Sequence, residues 1–89
     1  MNDKLIHLSS DALFQEVGGE AVILDLATAR YFGLDTVGAR FWQLLQDSAS
    51  LNRARDKLIE EFDVDAAQLE ADLDSLVEQL MQAGLVSVR

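Results

Sequence analysis

Side-chain catalysis needs groups that converge, and this 89-residue chain offers few candidates. His7 is the only histidine, so a general base or imidazole ligand would have to be built on it alone. It sits among aliphatic neighbours near the N-terminus, where an ordinary strand or arm position accounts for it. Ser9, Ser10 and Ser48 belong to no nucleophile motif and read as turn or capping residues. There is no phosphate-binding loop, dinucleotide fingerprint or zinc spacing. With no cysteine, neither a thiolate site nor a disulfide can form. Gly18-Gly19 suits a hairpin turn rather than a phosphate cradle. The sequence therefore predicts no enzyme and no cofactor.

The elements that hold these residues follow from a change of hydrophobic period near residue 35. Before it, Leu13–Val17, Ala21–Leu26 and Arg30–Leu34 read as three strands of an antiparallel meander, joined at Gly18-Gly19 and Ala27-Thr28-Ala29. Lys4–Leu8 reads as a further strand or extended arm. After it, three helices follow. Asp35 or Thr36 caps the first, with Val37, Phe41, Leu44 and Leu45 on one face and Trp42 beside it, closing one end of the core. Ser50 caps the second, which turns Leu51, Ala54, Leu58, Ile59 and Phe62 inward. Asp65 with Gln68 resembles a capping box for the third, which runs to Gly84, a residue suited to a left-handed C-cap. Leu85–Val88 is a short apolar tail that pairs or packs. The expected fold is α+β and winged-helix-like, a three-stranded antiparallel sheet followed by three helices, in a single domain over residues 1–89.

Composition narrows the partners. The hydrophobic fraction of 49% is ample for a packed domain. No apolar run exceeds Ala21–Leu24, which excludes a membrane-spanning helix, and the N-terminus lacks a secretory signal, so a cytoplasmic location is expected. Sixteen acidic residues against seven basic give a formal charge of -9. That field repels phosphate backbones and favours a cationic partner, although an acidic surface also serves solubility alone. The third helix carries Glu70, Asp72, Asp74 and Glu78, which would drive a recognition helix off DNA.

Two features point to peptide capture. The third strand, Arg30–Leu34, is short, apolar and at an edge, with only Arg30 to blunt it. On the third helix, Leu69, Leu73, Leu76 and Leu80 form the core stripe, and Val77 with Met81 extends it to one side. A shoulder of that kind facing the strand edge would make a groove, with backbone pairing on one wall and side-chain pockets on the other. A plain covered strand and a broad core stripe remain open readings of the same residues.

The run Ala21–Leu26, then Arg30-Tyr31-Phe32-Gly33-Leu34, then Gly38 and Phe41-Trp42-Gln43-Leu44-Leu45 resembles PqqD-like proteins, over roughly residues 12 to 88. These include the recognition elements of ribosomally made, post-translationally modified peptides. The resemblance implies non-catalytic binding of a precursor's leader segment, added as a strand against the third strand and beside the third helix. Carried onto this chain, Arg30, Tyr31, Phe32, Gly33 and Leu34 form the pairing edge, and Leu73, Leu76, Val77 and Met81 line the pockets. Asp72 or Glu70 meets a basic leader side chain. The Tyr-Phe-Gly-Leu strand looks most like the free-standing proteins of lasso-peptide clusters. There the leader carries a Tyr-x-x-Pro pattern, and the partners are a transglutaminase-like cysteine peptidase and an ATP-dependent macrolactam synthetase. Three alternatives stay open: a PqqD-type chaperone serving a radical SAM enzyme, a generic acidic winged-helix interaction module, and a regulator that reaches DNA through a basic partner.

Overall fold

A computed structural model describes residues 3–18 and 20–89. The chain folds as β1 (Ile6–Leu8), β2 (Ala12–Val17), β3 (Glu20–Asp25), β4 (Arg30–Leu34), α1 (Thr36–Asp47), α2 (Leu51–Glu61), α3 (Ala66–Gln82) and β5 (Val86–Val88). Strands β2, β3 and β4 form an antiparallel meander in that order, so β4 is an edge as expected and β2 is the other. This three-stranded sheet followed by three helices is the predicted α+β architecture. Gly18 turns the β2–β3 hairpin at a φ of 60°; Gly19, the other half of the expected turn pair, lies outside the described residues. Asp25 organises the β3–β4 turn: its carboxylate accepts from the Ala27 N–H and the Thr28 hydroxyl, both at 3.0 Å.

Each helix starts on a side-chain cap that satisfies an otherwise orphaned N–H. Asp35 accepts from the Gly38 N–H at 2.7 Å, Ser50 from Arg53 at 3.1 Å and Asp65 from Gln68 at 3.0 Å. The reciprocal half of the α3 capping box is not made, because the Gln68 amide donates forward to Asp72 at 2.9 Å. Gly84, at a φ of 75°, ends α3, and the Leu85 N–H returns to the Leu80 carbonyl at 2.9 Å. That turn sends β5 back antiparallel to β1, which settles the roles of both termini. On its other side β1 is held by the 49–51 loop, with the Ile6 N–H donating to Ala49 at 2.8 Å. Asp3 accepts from the Ser50 hydroxyl and from the Asn52 N–H, and these two bonds hold its carboxyl below the usual range.

The core gathers Ile23 from the sheet, Phe41 and Trp42 from α1, Leu58 from α2, Leu80 from α3, and Ile6 and Leu85 from the terminal segments. Trp42 is 1% exposed and belongs to this cluster. Ile59, expected inward, is 36% exposed, because Leu51, Ala54 and Leu58 already fill the narrow face that α2 buries.

Candidate functional site: the groove between β4 and α3

Strand β4 divides its side chains by the pleat. Phe32 and Leu34 pack toward the helices, whereas Tyr31 and Gly33 face away from them. Its partner β3 covers one edge only, in the register Asp25 to Arg30 through Ala21 to Leu34, and among the described residues the other edge carries no strand. Beside that open edge lies a groove of about 480 Å³. Phe32, Leu34 and Val37 form its apolar floor with Leu73 and Leu76 of α3, and Gln68, Asp72, Ser75 and Gln79 form the polar far wall.

The groove is built on Gly38. A Cβ there would lie 3.3 Å from Leu34 Cδ2, 3.6 Å from Leu76 Cδ2 and 3.1 Å from the capping oxygen of Asp35. A larger residue there would push the Asp35 carboxylate and Leu34 back by a few tenths of an ångström, so glycine lets strand, cap and third helix meet this closely. Asp35 and Asp72 both line the groove and, among the described residues, no basic side chain does, so its charge is negative.

Of the expected site residues, the structure gathers Phe32, Gly33, Leu34, Asp72, Leu73 and Leu76 at this groove. Arg30 and Tyr31 lie on the same strand, exposed, with Tyr31 on the outer sheet face. Three other expected residues lie outside this groove. Val77 is 6% exposed and belongs to the core stripe with Leu69, Leu73 and Leu80, and it does not line this groove. Met81 is 47% exposed but lies on the opposite rim of α3, outside the groove. Glu70 is also away from the groove, where it pairs with Arg55 of α2 at 3.0 Å. The shoulder facing β4 is the Leu76 side of the stripe, with Gln68, Ser75 and Gln79, none of which sequence reasoning singled out. The one available signal was the Asp65 cap, which fixes where the helix begins but not how it is rotated against the sheet.

The groups first weighed for catalysis are spread apart. His7 is on β1, with a buried Nε2 that has no hydrogen-bond partner among the described residues. Ser9 accepts from the Asp11 N–H at 3.1 Å and Ser48 from the Ser50 N–H at 3.3 Å, as turn residues do. Among the described residues no cluster of His, Asp or Glu could hold a metal ion, and no helix is long and apolar enough to cross a membrane.

An open sheet edge beside an acidic, apolar-floored groove defines a small winged-helix-like binding module. Residues 20–86 match the family described as Coenzyme PQQ synthesis protein D (PqqD), and the chain belongs to that family. Among solved structures it is similar to "TbiB1 in Complex with the TbiA(beta) Leader Peptide", at 32% identity and a TM-score of 0.82, covering 91% of this chain and 94% of that one. It shares its fold with "Lasso peptide synthetase B1 complexed with the leader peptide", at 24% identity and a TM-score of 0.80, covering 92% and 96% respectively. No curated protein matches the chain.

Proposed function

We propose that this chain is a non-catalytic recognition element that binds the leader segment of a ribosomal precursor peptide in lasso-peptide biosynthesis. The observation that carries this reading is the unpaired β4 edge running beside the α3 groove, in a chain similar to TbiB1, a protein solved with a leader peptide. The leader joins β4 as a fourth strand, and its backbone bonds to Arg30–Leu34. Alternate side chains drop into the groove against Leu34, Leu73 and Leu76, and a basic or amide-bearing residue meets Asp72. An unstructured leader loses conformational freedom on binding, so these anchors must supplement the backbone ladder. Two or three buried anchors of roughly 1–3 kcal/mol each are enough to offset that loss.

In this reading the protein acts in the cytoplasm as one domain, and delivers the precursor to a transglutaminase-like cysteine peptidase and then to an ATP-dependent macrolactam synthetase. Holding the leader raises the local concentration of the attached core peptide at whichever enzyme docks on the module. The family's own name favours a second reading, presentation to a radical SAM enzyme in quinone-cofactor synthesis. The precursor encoded beside this gene separates the two.

The test is a fluorescence-anisotropy titration of that precursor's labelled leader, with a scrambled leader as control. Saturable binding of the true leader alone supports the proposal. Absence of binding by folded protein at high concentration rejects it in favour of a generic interaction module.

A further inference from the structure

Besides β4, the sheet has a second free edge, and the sequence leaves it unguarded. Strand β2 is six residues long and pairs with β3 without a bulge, from Ala12 opposite Asp25 to Val17 opposite Glu20. Among the described residues no strand pairs with its other side. Edge strands are usually blunted by a lysine, a proline, a bulge or shortness. β2 has none of these, and its one charge is Glu16, which accepts from the Gln43 amide at 3.3 Å. Its apolar side chains on the outer face are uncovered, with Leu13 41% and Val17 67% exposed.

The phase of the ladder decides how this edge can be met. The Leu26 N–H donates to the Asp11 carbonyl at 2.9 Å, so Leu13, Gln15 and Val17 occupy the positions that bond to β3. Phe14 and Glu16 therefore turn their backbone groups to the open edge. Two copies of β2 can meet antiparallel about a two-fold axis at Gln15. Phe14 then lies opposite Glu16 of the second copy and exchanges backbone bonds with it. On the outer face Leu13 lies against Val17 of the second copy, at the closely spaced positions, so each covers the other. Neighbouring registers fit less well. An axis at Phe14 sets Val17 against Asp11, and an axis at Glu16 opposes two carboxylates.

We propose that β2 is a self-association edge, at which a second copy of this chain completes a six-stranded sheet. Each β4 then lies at an outer end of the joined sheet, and both grooves stay open. A seam of two such short strands is smaller than the roughly 1,200 Å² of a stable complex. Each copy also carries a charge of -9. The dimer is therefore weak, and it tightens as salt screens the repulsion.

Sedimentation equilibrium of the whole chain, from about 10 µM to about 1 mM, tests this without any peptide. The average mass should rise from 9.8 kDa toward twice that value, half-way at about 100 µM, and at lower concentration in high salt. Leu13→Glu and Val17→Lys, both at exposed positions, should keep the wild-type circular dichroism and each associate at least about fivefold more weakly. Mixed together, the two variants should regain association to within about twofold of wild type, since the register sets position 13 of one copy against position 17 of the other. A monomer at every concentration, or association that neither substitution weakens, overturns the proposal. A mixture that associates no better than its two components overturns it as well, because the register is then wrong.

Discussion

Leu34 of β4 and Leu76 of α3 converge on one point, with their Cδ2 atoms 3.3 and 3.6 Å from where a Cβ would stand on Gly38. This meeting joins the open strand edge to the helix wall, so the floor of the groove is a property of three residues from three elements. Leu76 is only half-buried, and part of its surface is offered to the groove. Leu76→Asp should therefore weaken leader binding at least about tenfold, as loss of a central anchor does. The protein should remain folded by circular dichroism, which assigns the loss to the groove.

The two rims of α3 should respond differently to a new charge. Val77 is in the core, and Val77→Asp buries an unpaired carboxylate, so it should destabilise the fold by about 3 kcal/mol or more. Met81 is exposed on the far rim, and Met81→Asp should change neither stability nor leader affinity beyond twofold. Urea unfolding and leader titration of both variants check this. A binding defect confined to Met81→Asp would move the site to the other side of the helix.

Much of this fold is legible in the sequence because its signals are local. Asp35, Ser50 and Asp65 each precede a helical pattern and each caps one, and Gly84 ends α3 where its left-handed turn is needed. The β4 edge is likewise readable, since a meander places its last strand outside. The rotation of α3 against the sheet is not local. Leu69, Leu73, Leu76, Val77 and Leu80 make a stripe whose centre periodicity leaves open by about one residue's turn. Packing against α2 and β5 decides that Val77 is buried and Leu76 is on the rim. Gln68, Ser75 and Gln79 were missed for the same reason, since polar residues become groove lining only once the facing strand is known.

Ala29 holds a φ of 59° in the β3–β4 turn, a left-handed conformation that costs a residue with a Cβ. Ala29→Gly should raise stability by about 0.5–1 kcal/mol after allowing for glycine's greater freedom in the unfolded chain. Chemical denaturation reads this directly. The same change leaves the β4 edge in place, so leader affinity should stay within twofold.

Acid should loosen the packing of the N-terminal segment on α2. The Asp3 carboxyl is held below its ordinary 3.8 by the Ser50 hydroxyl and then the Asn52 N–H, and Glu61 below 4.5 by its hydrogen bonds from Arg40. Both pKa values are depressed on folding. Their contribution is thus fully present above these ordinary values and is lost as pH falls through the folded ones. Wild type should lose stability from about pH 4.5 downward, and Asp3→Asn with Glu61→Gln should lose less over that interval. Urea midpoints measured at neutral pH and in acid provide the comparison.

The central claim is that a leader peptide pairs with β4, and amide hydrogen exchange with and without the leader tests it most directly. The prediction is new protection at amides within Arg30–Leu34, together with changes along the Asp72–Gln79 face of α3, while the outer edge of β2 stays as it was. Protection appearing at β2 with β4 unchanged would place the peptide on the wrong edge of the sheet and contradict the account.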